Sequence, residues 1–146
     1  MNIRKIDHIG VAVQDLDKYL KVFGEDLGLE IHDFEEADPY ERLRIAFAKV
    51  GEVDFEFLQD RIPDTAEKVT DQGDISRWIE KRGEGIHHIA LRVDDIDAAI
   101  QEAKAKGMRV IDEKGRPGAR GSRVAFIHPK STGGILIHFV ERDERS

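Results

Sequence analysis

The segment Asp7-His8-Ile9-Gly10-Val11-Ala12-Val13-Gln14-Asp15-Leu16-Asp17 returns 80 positions later (88 − 8) as His87-His88-Ile89-Ala90-Leu91-Arg92-Val93-Asp94-Asp95-Ile96-Asp97. In both copies a histidine opens an alternating apolar run, and an Asp-apolar-Asp group closes it. Alternation with a period of two marks a half-buried strand, and an aspartate just ahead of an apolar-periodic stretch marks a helix start. A duplicated module implies a pseudo-twofold axis. Equivalent side chains of the two copies can meet near such an axis, where a ligand or metal is naturally held.

Each copy reads as β-α-β-β-β. In the first, the strand at Ile6–Val13 points Ile6, His8, Gly10 and Ala12 one way and Asp7, Ile9, Val11 and Val13 the other. Asp15 caps a helix with an apolar stripe at Leu16, Tyr19, Leu20 and Phe23, and Gly24 and Gly28 are candidate stops. Short strands follow at 29–31, 43–50 and 53–58, the last two joined by a hairpin at Gly51-Glu52. The second copy gives strand 86–93, helix 95–106 with Ile96, Ala99, Ile100 and Ala103 on one face, then strands 108–112, 123–128 and 135–141. Between the copies, 59–72 is polar and carries Pro63, and 74–81 forms a short helix containing Trp78. The expected organisation is one domain over 1–146, with module 1 at about 1–60, a linker at about 61–84 and module 2 at about 85–146.

The bulk numbers narrow the function. With 146 residues and 40% apolar side chains, the chain can bury a real core. Its 23 basic and 30 acidic residues give a formal charge of −7, which disfavours nucleic acid as a partner. No apolar run approaches a membrane span, and the N-terminus lacks a signal-like apolar region, so no membrane partner and a cytoplasmic location are expected. The absence of cysteine excludes disulfides, thiolate catalysis and zinc–sulfur sites. A metal would depend on His, Asp, Glu or main-chain ligands.

Extending the repeat to the last strands exposes a second pair of polar residues. Arg44-Ile-Ala-Phe47 matches Arg123-Val-Ala-Phe126, and Val53-Asp-Phe-Glu56-Phe57 then meets Ile135-Leu-Ile-His138-Phe139, a shift of 82 (138 − 56). His8, His88, Glu56 and His138 thus hold symmetric positions. Three imidazoles and a carboxylate suit Zn²⁺, Fe²⁺, Co²⁺, Ni²⁺ or Mn²⁺ rather than Ca²⁺. Taken singly, a strand-start histidine is ordinarily a hydrogen-bonded core or edge residue and Glu56 a solvated one; taken together, the four form a candidate metal site. His87 faces away from His88 and reads as structural or as a support behind the ligands, and His32 and His128 lack symmetric partners. The segments Arg116–Arg123 and Pro129–Gly134 are glycine-rich and basic. They can hold a carboxylate or phosphate through main-chain N–H groups and cations, or serve as ordinary solvated loops. No Walker-type loop, dinucleotide fingerprint or serine nucleophile elbow is present.

Three stretches carry a family resemblance: Asp7–Val13, Glu80-Lys-Arg-Gly-Glu-Gly-Ile-His-His-Ile-Ala-Leu-Arg-Val-Asp-Asp-Ile96, and Val124-Ala-Phe-Ile-His-Pro-Lys-Ser-Thr-Gly-Gly134. The chain resembles the methylmalonyl-CoA epimerase family of the vicinal-oxygen-chelate (glyoxalase/bleomycin-resistance) superfamily over almost its full length. The resemblance implies an α+β fold of two βαβββ modules, whose curved mixed sheets surround a central metal-binding cleft with helices outside. It implies a divalent metal ion (Co, Zn, Mn, Ni or Fe) and an acyl-CoA thioester substrate. The reaction it implies is epimerisation of methylmalonyl-CoA, or a similar 2-substituted malonyl thioester, by α-proton abstraction through a metal-stabilised enolate.

The resemblance assigns metal ligation to His8, His88 and Glu56, and the repeat adds His138 as the fourth candidate ligand. The family carries Gln or Glu at the position of Glu56. At the position of His138 it usually carries a glutamate that both ligates and transfers protons, so this chain departs there. Arg44 stands where some epimerases place a second catalytic glutamate. The catalytic candidates are therefore His138 and Glu56, by leaving the metal or through bound water. Arg44, Arg123, Lys130 and Ser131 are candidates for holding the substrate carboxylate or the CoA phosphates. Other metal-dependent enzymes of this scaffold (a glyoxalase-type isomerase or lyase, or a non-haem iron oxygenase) and a non-enzymatic small-molecule-binding module are the alternatives. Modules of this scaffold pair within or between chains, so a homodimer is a possible partner arrangement.

Overall fold

The two histidine strands are ten and nine residues long in the computed structural model, β1 at Ile3–Ala12 and β5 at Gly85–Val93. The structure describes residues 1–36, 43–61 and 73–143. The remaining elements are α1 (Leu16–Leu20), β2 (Glu30–Glu36), β3 (Leu43–Val50), β4 (Val53–Asp60), α2 (Asp74–Arg82), α3 (Ile96–Ala105), β6 (Arg116–Pro117), β7 (Arg123–Ile127) and β8 (Ile137–Glu141). The fold is α+β, as expected, with few helices and a mixed sheet. Residues 62–72 of the expected linker, including Pro63, lie outside the described residues. Among the described residues no helix is long and apolar enough to cross a membrane.

The chain separates into two compact units, one of residues 1–9 and 88–146, the other of residues 10–87. In the first, β5 pairs in parallel with β8, and β8, β7 and β6 continue antiparallel. Helix α3 buries Ile96, Ala99, Ile100 and Ala103 against Val93, Ala125, Ile127 and Phe139. These are the residues its 3.6-residue periodicity singles out. In the second unit, β3 and β4 form an eight-residue antiparallel ladder closed at Gly51-Glu52, and β2 pairs with β3 across a bulge between His32 and Glu35. Its core packs Val11, Val13, Leu16, Ala46, Ala48 and Phe57 together.

The repeat reappears in how the helices are capped. Asp15 accepts a hydrogen bond from the Lys18 N–H, and Asp95 accepts one from the Ala98 N–H. The first free N–H of each helix goes to a side chain of that unit's last long strand. Leu16 donates to Gln59 Oε1 at 2.7 Å, and Ile96 donates to Glu141 Oε2 at 2.8 Å. The helix residues are 80 apart (96 − 16) and their partners 82 apart (141 − 59), which are the two shifts read from the histidine strands and from Glu56/His138. A helix N-terminus leaves its first N–H groups without intrahelical partners, so the same need is met twice by the same device.

Two expectations are corrected. The strand expected at 108–112 shrinks to one bridge between Val110 and Ile127, because the Asp112 carboxylate takes the Phe126 N–H at 2.7 Å where a strand carbonyl would otherwise stand. A two-residue strand, β6, pairs with β7 instead. The first helix is α-helical only to Leu20 and continues as a π-helical turn over Lys21–Asp26. Gly24 permits this turn to lie on β2, since a Cβ there would come within 2.9 Å of Ile31. The α3 packing sets a stability expectation. Ile100→Ala should lower the unfolding free energy by about 2–5 kcal/mol, read as a shifted urea midpoint at unchanged slope; a change below ~1 kcal/mol would contradict the burial of that face.

Candidate metal centre

Three imidazoles from three strands meet inside the first unit. His8 lies on β1, His88 on β5 and His138 on β8, each about 95% buried. His8 Nε2 is 3.1 Å from His88 Nε2 and 3.3 Å from His138 Nε2. The His8 ring meets the other two nearly edge-on, at interplanar angles of 88° and 80°. Phe126 packs on His138 and His88 at centroid distances of 4.8 and 6.1 Å, giving the cluster an apolar wall.

This donor set fits a first-row divalent ion. Nitrogens about 2.0–2.1 Å from such an ion, at angles of about 90–110°, sit roughly 2.8–3.4 Å from each other. The two separations measured from His8 Nε2 fall in that interval. Imidazole donors also suit Zn, Co, Ni and Fe by their intermediate softness. His8, His88 and His138 together could hold one metal ion.

Asp7, the neighbour of His8, is wholly buried. Its Oδ2 accepts from His8 Nδ1 at 2.7 Å, and its Oδ1 accepts from Arg92 Nε and Nη2 at 2.8 and 2.6 Å. Arg142 Nε reaches Oδ1 at 3.2 Å, and Arg120 Nη2 lies 3.4 Å from Oδ2. Burial alone would push this carboxyl's pKa up. The His8 bond and charge and the Arg142 and Arg92 guanidinia outweigh it and hold the group far below the usual carboxylate range. Alternation along β1 puts Asp7 opposite His8, and its repeat mate is His87, so symmetry gives no hint of it. A usable signal was present: Arg92 follows His88 by four residues and Arg142 follows His138 by four.

Glu56 is buried on β4 in the second unit, across the ladder from Phe47. Arg44, on β3, lies 3.8 Å from Asp17 and 5.6 Å from the Phe34 ring. Arg123 is bound through Nη2 by both oxygens of Asp97, at 3.0 and 2.8 Å. Lys130 and Ser131 lie in a single 3₁₀ turn; Lys130 is exposed, and Ser131 Oγ accepts from the Arg109 N–H. His87 packs edge-on against Trp78, with ring centroids 4.5 Å apart. His128 accepts the Lys130 N–H as the cap of that turn.

A family model described as the Glyoxalase/Bleomycin resistance protein/Dioxygenase superfamily matches residues 7–126. The chain belongs to this superfamily. Its sequence is 30% identical to human mitochondrial methylmalonyl-CoA epimerase over 93% of this chain and 73% of that one. It is also 30% identical to the ethylmalonyl-CoA/methylmalonyl-CoA epimerase of Cereibacter sphaeroides, over 92% of this chain and 96% of that one. A Streptomyces coelicolor methylmalonyl-CoA epimerase solved with 2-nitronate-propionyl-CoA superposes with a TM-score of 0.83 and 32% identity, covering 96% of this chain and 95% of that one. A hypothetical protein from Bacillus halodurans superposes with a TM-score of 0.86 and 39% identity, covering 97% and 96%. The chain is an enzyme of the isomerase class, an epimerase by kinship.

His32 offers an electrostatic check away from the three histidines. Its ring lies 2.7 Å from Asp33 and 2.9 Å from Asp54. Partial burial lowers its pKa, but the bonds and charges of the two carboxylates outweigh burial and raise it above the free imidazole value. A raised folded-state pKa contributes stability that is complete below the unfolded-state value and lost as pH rises through the folded one. NMR titration should place His32 above a free imidazole, and Asp54→Asn should bring it down and flatten the loss of stability between those two values. A His32 titration at or below the free value would contradict this.

Proposed function

We propose that the protein epimerises methylmalonyl-CoA, or a closely similar 2-substituted malonyl- or acyl-CoA thioester, with a divalent metal ion. The convergence of the His8, His88 and His138 Nε2 atoms, in a chain akin to methylmalonyl-CoA epimerases, is the observation that carries this reading. In it His8, His88 and His138 are ligands, and Glu56 is the fourth candidate on the repeat register alone. A bound divalent ion supplies Lewis acidity toward the thioester carbonyl, which lowers the cost of removing the α-proton.

The remaining work falls to the chain's own groups. Epimerisation requires a group that takes the α-proton and a group or water that returns one to the opposite face. His138 and Glu56 are the candidates. An imidazole that ligates through Nε2 has no lone pair left at that atom, so His138 acts as a base only when released. A carboxylate has two oxygens, so Glu56 can ligate with one and move a proton with the other. His138 also changes the local charge relative to a glutamate. Three neutral imidazoles compensate none of a cation's charge, which strengthens attraction for an anionic substrate carboxylate.

Substrate anions are assigned to Arg44, Arg123, Lys130 and Ser131. Lys130 is exposed and suits a CoA phosphate arriving from solvent. Arg44 and Arg123 would have to share themselves with Asp17 and Asp97. A cytoplasmic setting and a homodimer belong to the same proposal and rest on the sequence alone.

Exchange of the α-proton for deuterium in D₂O, followed by NMR on methylmalonyl-CoA, tests the reading. Exchange should occur with the metal-loaded protein, stop on chelation and return with Co²⁺. His138→Ala should slow it by about 10²–10⁴-fold, the usual contribution of a positioned proton-transfer group. His88→Ala should lose the ion. Undiminished exchange in the presence of chelator would sink the metal reading, and no exchange at all by loaded protein would sink the substrate assignment.

A further inference from the structure

We propose that Asp7 is the positioning residue of the metal centre, a carboxylate that sets the spacing and lone-pair direction of the three imidazoles. This rests on the reading that His8, His88 and His138 hold a divalent cation.

Asp7 Oδ2 takes His8 Nδ1–H at 2.7 Å. A ring that donates from Nδ1 leaves Nε2 as the atom available to a metal, and Nε2 is the atom facing His88 and His138. Two of the guanidinia on Asp7 come from the chain segments that carry the other histidines. Arg92 lies four residues past His88 on β5, hence on the same face of that strand. Arg142 lies four residues past His138, just beyond the end of β8. One carboxylate therefore binds the first histidine directly and anchors the strands of the second and third through their arginines.

The carboxylate has no freedom to follow the imidazole. Arg92, Arg120 and Arg142 approach it with side chains 5–7% exposed, and Asp7 itself is 0% exposed. Burying an ionised carboxylate costs several kcal/mol unless its oxygens are fully met by donors. Here the donors come from three separate segments, so the imidazole must adjust to the carboxylate.

Arg120 adds backbone evidence. It adopts a left-handed conformation with φ 58°, which costs a non-glycine residue of order 1 kcal/mol or more. Its turn is closed by Gly118 N–H to Ser122 O at 2.9 Å and Ser122 N–H to Ala119 O at 3.1 Å. Gly118 admits no side chain, since a Cβ would meet Ser122 Oγ and Val124 at 2.8 Å. A strained, tightly closed turn thus delivers one more guanidinium to Asp7.

The test uses the full chain, Zn²⁺ and Co²⁺. Long-range ¹H–¹⁵N correlation spectra of the unmutated protein should show His8 protonated at Nδ1 before and after Zn²⁺ is added, with the zinc-induced shift at Nε2. A proton on Nε2 of the metal-free ring, or zinc on Nδ1, overturns the proposal. Asp7→Asn keeps an acceptor oxygen but not the charge, and should weaken Zn²⁺ binding by about 10–100-fold in chelator competition and alter the visible absorption of bound Co²⁺. Asp7→Glu restores the charge one methylene away and should recover stability more fully than affinity. A folded Asp7→Asn protein with unchanged Zn²⁺ affinity and Co²⁺ spectrum makes the cluster merely structural and overturns the proposal. If that variant does not fold, the tautomer spectra of the unmutated protein decide. Failure of the underlying reading is separately visible, as an unmutated protein that binds no Zn²⁺.

Discussion

Three buried imidazole nitrogens within 3.3 Å of His8 Nε2 or at it are the constraint on which the first unit is built. Polar atoms withdrawn from water must be hydrogen-bonded or coordinated, or the fold pays several kcal/mol for each. Neutral imidazoles meeting nitrogen to nitrogen satisfy this poorly by themselves, because each such contact needs one lone pair and one proton. A cation satisfies all three at once. Phe126 packs on the His138 ring, and Asp7 with its arginines fixes His8.

The duplication explains how a short chain assembles such a site. Each copy supplies a strand–helix unit whose helix is capped twice, once by its own aspartate and once from the unit's last long strand. Capping from that strand locks it in register with the helix start. Since a one-residue slip would send every side chain of a strand to the other face, register is what keeps a histidine on β8 facing inward. The packing of α3 on Ala125, Ile127 and Phe139 holds β7 and β8 in the same register through apolar burial.

Much of this was legible in the sequence because it is periodic. The 80- and 82-residue shifts picked out His8, His88 and His138, and the apolar stripe of α3 named its buried face. Local chemistry that breaks periodicity was not legible. Asp112 ends the pairing near Val110 with its side chain, so a strand-like run became a single bridge. Gly24 lets the first helix widen into a π turn that helical spacing cannot foresee. Asp7 escaped because alternation pointed it away from His8 and the repeat puts His87, not an acid, at the matching position. The arginines that secure it come from distant segments, and only their common four-residue offset from His88 and His138 connects them in the sequence. Arg123 closes a basic, glycine-rich stretch, and its tie to Asp97 arises from tertiary packing that spacing does not encode.

X-ray absorption on the Co²⁺-loaded protein tests the central claim most directly, because imidazole rings leave a multiple-scattering signature that carboxylates and water lack. The extended fine structure should be fitted by three imidazole nitrogens about 2.0–2.1 Å from the ion. A bound ion whose scattering requires no imidazole, or only one, would contradict that claim.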